Sequence, residues 1–311
     1  MSEEITTWRS VATSGQPKLS TSPPDRYLTP QQKRRLSGET PSGRVIISPT
    51  GIRWEVFDKE GFAVYLGQQR TEEWHRVRAG RITASNADSA LGTTSKVYRE
   101  KFLEKLGLPH YKQHVTPAMQ HGLDQESNVK RWYEQKYAVT VRDVGFAYPL
   151  DSPRLGVSVD GLVGAEGMTE VKCPAKGIYP KLKERLEAIR LGKIDLGIPT
   201  DYSHITPSHY AQMQLGMAIM KRKWCDYIVA DIPSENAKHK YEPKYYVERV
   251  YYNHQYWLLS KRALEDFAEA HLEDTPIETI QGTQYNLTAE KLAEERSAEE
   301  IIAFLDQHHR H

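Results

Sequence analysis

Two cysteines in 311 residues, Cys173 and Cys225, exclude a disulfide scaffold, a four-cysteine zinc module and a thiolate-ligated iron–sulfur cluster. No run approaches the roughly 20 apolar residues that a membrane helix needs. The opening residues MSEEITTWRS carry early acids and no apolar stretch, so they do not read as a secretory signal, and a cytoplasmic protein is expected. Charge of either sign is not in excess: 42 Lys and Arg stand against 41 Asp and Glu, a formal +1. That argues against a generally basic nucleic-acid coat and leaves room for a local basic groove. Apolar residues make up 39% and the mean hydropathy is −0.65, so part of the chain is expected to stay unpacked. There is no internal repeat, and the sequon Asn286-Leu287-Thr288 has no meaning in a cytosolic chain.

Breakers and regular patterns divide the chain. Residues 1–43 read as a flexible tail, with Thr21-Ser22-Pro23-Pro24-Asp25, the charge run Lys33-Arg34-Arg35 and Ser37–Gly43. Residues 44–69 read as a small β appendage, with a hairpin turn at Asp58-Lys59-Glu60-Gly61. Residues 70–275 form the main domain, and 276–311 a C-terminal helical extension. Within the main domain, helices are expected from Thr71 to about Ala79, from Ser95 to Leu106, from Thr116-Pro117 to about Lys136, from Thr206-Pro207 to about Lys221 and from His254 to His271. A helical or irregular segment covers Lys181–Leu191, and a last polar helix Thr288–Gln307. Strands are expected at Val139–Val144, Leu155–Asp160, Met168–Cys173, Cys225–Ala230 and Tyr245–Tyr252. This order predicts an α/β or α+β fold, a sheet with helices on its faces.

The chemistry centres on Asp160 and on Glu170-Val171-Lys172. Strand alternation sets Glu170 and Lys172 on one face and Val171 and Cys173 on the other. Asp160-Gly161 bends the chain and Gly164-Ala165-Glu166-Gly167 can return it, bringing Asp160 beside Glu170. Paired carboxylates on rigid strands suit a hard divalent cation such as Mg²⁺. The plain alternative is a surface ion pair. On the 116–136 helix, Glu126 falls on the stripe of Met119, Leu123 and Tyr133, and His121-Gly122 lies one turn earlier. An inward carboxylate needs a cation, either a metal or an arginine. Gln212, on the stripe of Leu215 and Ile219, is either a core amide or a contact near the metal. Arg78 and Ser85 flank a glycine turn in Trp74–Ser85, with the donors of an anion pocket. Lys181-Leu182-Lys183 and Lys221-Arg222-Lys223 are solvated faces or tracks for a phosphate backbone. His308, His309 and His311 read as a loose tail.

Taken together, Trp74-His75-x-x-Arg78 leading into Ile82-Thr83-Ala84-Ser85, the Glu126 helix, Val159-Asp160-Gly161, Glu170-Val171-Lys172-Cys173-Pro174 and Tyr210-Ala211-Gln212-Met213-Gln214 resemble, in order and spacing, the lambda exonuclease and YqaJ-type viral recombinase nucleases of the PD-(D/E)xK superfamily. The likeness spans about residues 70–270. It implies a restriction-endonuclease-like core with a mixed central sheet flanked by helices. It also implies a Mg²⁺-dependent 5′-to-3′ exonuclease on double-stranded DNA ends that leaves 3′ single-stranded overhangs for homologous recombination. By the resemblance, Asp160, Glu170 and the Val171 carbonyl hold metal, two Mg²⁺ ions in all with Mn²⁺ as a substitute. Glu126 supports the second ion or its waters, and Lys172 positions or activates water. Arg78, Ser85, Ser158 and Gln212 grip the 5′-terminal phosphate. A homotrimeric ring and a single-strand annealing partner are implied. The family's proline before the aspartate is Val159 here. The rival readings are an endonuclease or a Cas4-like trimming nuclease on the same core, the latter disfavoured by the missing cysteines, and a non-catalytic DNA-binding scaffold.

Overall fold

The computed structural model describes residues 43–92, 116–174, 191, 205–233, 241–273 and 275–284. The expected segments 95–106, 181–191 and 288–307, the basic run 181–183 and the terminal histidines lie largely or wholly outside them. In chain order the elements are β1 Arg44–Ile47, β2 Arg53–Phe57, β3 Phe62–Tyr65, α1 Glu72–Arg78, β4 Ile82–Thr83, a 3₁₀ turn Ala84–Asn86, α2 Ala87–Ala90 and α3 Pro117–Tyr137. Then follow β5 Val141–Arg142, β6 Phe146–Pro149, β7 Leu155–Gly156, β8 Gly161–Val163, β9 Gly167–Lys172, α4 Pro207–Ile219, β10 Trp224–Asp231, β11 Lys244–Tyr251, α5 His254–Leu272, β12 Ile277–Thr279 and β13 Gly282–Gln284. The fold is α+β, as expected.

The long helices begin where the sequence signals them. Thr71, Thr116 and Thr206 each turn a hydroxyl onto the backbone N–H three residues on, at 3.1, 3.2 and 3.2 Å. Proline opens α3 and α4, where its missing N–H costs nothing.

The central sheet runs β11-β10-β9-β8-β5. It is mixed: β9 and β10 are parallel, the other pairs antiparallel. One face packs on α4 and α5 through Met168, Met213, Leu215, Val229 and Leu264. The other packs on α3 through Val129, Tyr133, Tyr137, Trp224 and Ile228. Each fully buried large side chain is worth about 1.5–3 kcal/mol. The apolar stripe of α3 holds only in its C-terminal half; at its other end Met119 is exposed.

Strands β1, β2 and β3 pair in antiparallel order and continue into β6, which belongs to the main domain. Trp54 sits edge-on to Tyr65 and Tyr148, and Trp74 and Val77 of α1 share their cluster. Strand β6 was not foreseen, because FAYP is short and ends in proline. Strand β8 falls where a bend alone was expected, so the hairpin is β8–β9 and Asp160 stands just before its first strand.

Candidate active site

The β8–β9 hairpin sets the centre. Its register pairs Gly161 with Thr169, Leu162 with Met168 and Val163 with Gly167. One step further out, Asp160 faces Glu170, and its Oδ2 accepts the Val171 N–H at 2.6 Å. A Cβ at Gly161 would lie 2.1 Å from Val141 Cγ1, so any other residue would force that side chain to shift. Arg222 closes the turn by donating to the Gly164 carbonyl at 3.2 Å and to that of Ala165, while Lys223 pairs with Glu166 at 2.6 Å. Thus two members of the Lys221–Lys223 run serve the hairpin.

Glu170 is 1% exposed and Lys172 Nζ lies 2.5 Å from its Oε1. The same ammonium donates to Gln212 Oε1 at 3.3 Å, so Gln212 belongs to this centre. Burial raises the Asp160 carboxyl to about 8, helped by the charges of Glu170 and Glu126 and opposed by Lys172 and the Val171 N–H. Burial also raises Glu170, against Lys172. For Lys172, burial pulls down and the neighbouring carboxylates pull up harder, so it is held as an ammonium. The donors here are all hard oxygens: two carboxylates whose repulsion and desolvation a divalent cation would relieve, and the Val171 carbonyl. That set fits Mg²⁺.

Of the two partners expected for Glu126, a metal or an arginine, the arginine is present. Its carboxylate is held by Arg70 and by Lys130, the latter at 3.0 Å. Lys130 also pairs with Asp143 at 2.7 Å and donates to the backbone carbonyl of Asp160 at 2.9 Å. Among the described residues no three His, Cys, Asp or Glu side chains gather into a ready-made metal site. Two cations already balance Glu126. Gly122 makes no close approach, since a Cβ there would meet only Cys173 O at 3.8 Å.

Three of the four expected phosphate-binding residues form a second patch, one of them on the segment that leads from β7 to Asp160. Arg78 lies 3.9 Å over the Trp74 ring, whose Nε1 donates to Ser158 Oγ at 2.9 Å. The Arg78 Nη2 reaches the Thr83 hydroxyl at 3.4 Å, which is 3.1 Å from Ser85 Oγ. Burial lowers Arg78 to about 10, and its Nε has no hydrogen-bond partner among the described residues. A buried guanidinium with an unused donor fits an anion. Ser158 is two residues from Asp160.

Several supports escaped the sequence reading. Gln69 Nε2 donates to the carbonyls of Val144 and Val159 at 2.7 and 3.0 Å, holding the segment just before Asp160. His209 Nδ1 lies 2.9 Å from the hydroxyl of Tyr227, the cross-strand neighbour of Glu170; burial and then Lys172 lower the imidazole to about 4. A helical spacing of three from Gln212 was its one signal. Arg81 donates to the carbonyls of Val77, Pro153 and Glu278, and Arg154 to those of Gly80, Glu273 and Thr275. These two guanidiniums tie the segment entering β12 beneath the glycine turn after Arg78. Gly80, at φ +69 and with Pro276 O 2.6 Å from any Cβ, admits no other residue.

Residues 73–223 match the profile of the YqaJ-like viral recombinase domain. An alkaline exonuclease from Laribacter hongkongensis, LHK-Exo, superposes with a TM-score of 0.47 at 27% identity, over 65% of this chain and 95% of that one. LHK-Exo in complex with dAMP gives 0.48 at 26% identity, over the same shares. A phage-related exonuclease from Haemophilus somnus gives 0.39 at 12%, over 67% and 94%. No curated protein matches the sequence. No helix among the described residues is long and apolar enough to cross a membrane.

Proposed function

From a chain whose residues 73–223 carry a YqaJ-like viral recombinase domain, we propose a DNA exonuclease of recombination that degrades duplex ends in the 5′-to-3′ direction, depends on Mg²⁺ and leaves 3′ overhangs. The observation that carries this reading is the juxtaposition of Asp160, Glu170 and Lys172 on one hairpin, with both carboxyls raised by burial. Asp160, Glu170 and the Val171 carbonyl would hold Mg²⁺, with Mn²⁺ as a substitute, and Glu126 would support a second ion or its waters. Bound there, the cation would polarise the phosphodiester and lower the pKa of water.

The chain's own residues do the rest. Lys172 stays charged beside Glu170 and neutralises charge developing on the phosphoryl oxygens, and Gln212 holds its ammonium in place. Arg78, Ser85 and Ser158 receive the 5′-terminal phosphate and set the next phosphodiester over Asp160 and Glu170. Attack by water breaks the P–O3′ bond. The released nucleotide keeps a 3′-hydroxyl, and the strand acquires a new 5′-phosphate that can enter the same pocket. A ring of three copies and an annealing partner would extend this to long tracts.

The test is digestion of linear duplexes with 5′-phosphate or 5′-hydroxyl ends, with Mg²⁺ or with chelator. Release of mononucleotides from 5′-phosphate ends, only with Mg²⁺, is expected. Cutting of covalently closed circles would replace the reading with an endonuclease, and no Mg²⁺-dependent release from any substrate would leave a binding scaffold.

A further inference from the structure

Residues 69–71 join three parts of the site in three consecutive positions. Gln69 holds the Val159 carbonyl, Thr71 caps the helix of Trp74 and Arg78, and Arg70 between them reaches Glu126. Arg70 adopts φ 69, a left-handed conformation that is strained for a non-glycine residue. The other two described non-glycine residues with positive φ, Ala138 and Lys221, follow the ends of α3 and α4, where such a turn is ordinary. Arg70 ends no helix. Its side chain is 48% exposed, whereas Glu126 is 17% exposed and also holds Lys130. Glu126 is thus neutralised twice, once by a cation knitted into the fold through Asp143 and Asp160 and once by an arginine free to swing into solvent.

We infer that Arg70 is an exchangeable counter-ion for Glu126, a positioning residue that couples cation binding to DNA binding. The inference rests on the nuclease reading above. While Arg70 holds Glu126, the carboxylate is withheld from a cation at Asp160 and Glu170. A backbone phosphate of the bound duplex draws the guanidinium away, and Glu126 then turns its charge to the cation. Because coupling is reciprocal, the cation tightens DNA by the factor by which DNA tightens the cation.

The test uses the full chain and Ca²⁺ as the probe, titrated by calorimetry without DNA and with a short blunt duplex carrying 5′-phosphates, its integrity checked on a gel. Without DNA, Arg70→Gly and Arg70→Gln bind Ca²⁺ about three- to tenfold tighter than the wild type, because one competing charge is gone. The tightening produced by the duplex is smaller in both variants by about threefold or more, and Arg70→Lys restores most of it. In a Glu126→Gln background, Arg70→Gly changes neither quantity, which a general structural defect would not reproduce. Glycine suits φ 69, so the Arg70→Gly chain keeps its fold, as its melting temperature will report. Equal or weaker Ca²⁺ binding by the variants, or unchanged coupling, overturns the inference while leaving a wild type that cuts DNA as a nuclease. A wild type that neither binds Ca²⁺ nor releases nucleotides with Mg²⁺ overturns the nuclease reading and this inference together.

Discussion

Two buried carboxylates stand on adjacent strands of the central sheet, on opposite faces, and their surroundings differ in kind. Asp226 on β10 is 1% exposed and fully served: Arg249 donates to both oxygens at 2.7 and 2.9 Å, Tyr133 adds its hydroxyl, and Arg249 stacks 3.6 Å over Trp224. Glu170 on β9 is as deeply buried, yet its cation among the described residues is Lys172, shared with Gln212, and Asp160 stands beside it with its own carboxyl raised. The first acid is neutralised by the fold. The second pair shares one ammonium and is pushed toward its neutral, protonated form, the kind of perturbation that clusters at binding sites. Burial alone does not separate structural acids from functional ones; the balance of partners does.

That contrast is broken most directly by removing each side's cation. Lys172→Ala should lower nucleotide release by about 10²–10³-fold, the range seen when one preorganised charge stabiliser is lost, while DNA binding by gel shift is retained. An unchanged rate would put Glu170 on the structural side with Asp226. Arg249→Met should do the opposite. Leaving Asp226 buried without its partner should cost about 3–5 kcal/mol in denaturant melts, with the rate per folded molecule unaltered. A smaller effect comes from the neighbouring patch: Arg78→Ala should slow digestion of 5′-phosphate ends about tenfold or more and spare 5′-hydroxyl ends, since a charge-assisted contact is worth about 1.5–3 kcal/mol. Equal slowing on both ends would remove the pocket from the account.

The smallest expected effect is in pH. Asp160, raised to about 8 from 3.8, holds its proton when folded over a range where the unfolded chain has released it. The stability it contributes is full below about pH 4 and lost as pH rises through about 8. In chelator, the wild-type melting temperature should therefore fall as pH climbs toward about 9. Asp160→Asn, which cannot titrate, should flatten that fall, and added Mg²⁺ should do so in the wild type. Parallel slopes for wild type and variant would mean that Asp160 is no different from a satisfied acid.

Much of the centre could be read along the chain. Strand alternation placed Glu170 and Lys172 together, the Gly164–Gly167 turn returned Asp160 to them, and three threonine caps located their helices, because these are local rules acting over a few residues. Glu126 shows where that reading ends. Its helical stripe demanded a cation, and the sequence left both metal and arginine open; Arg70, 56 positions earlier, was beyond any local rule. The same holds for Gln69 across to Val159, for Arg222 in the hairpin turn and for Arg81 and Arg154 beneath Gly80, whose partners are backbone carbonyls with no signature of their own.

The sequence by itself determined the kinds of element, the hairpin that joins two acids and a lysine, and the absence of sulfur chemistry, since period, capping and turn propensity act between near neighbours. Only the tertiary structure decided which charges meet, because Coulomb and hydrogen-bond pairing depend on distance in space. Through that pairing one buried aspartate is sealed by an arginine while the acids at the neighbouring strand share a single lysine.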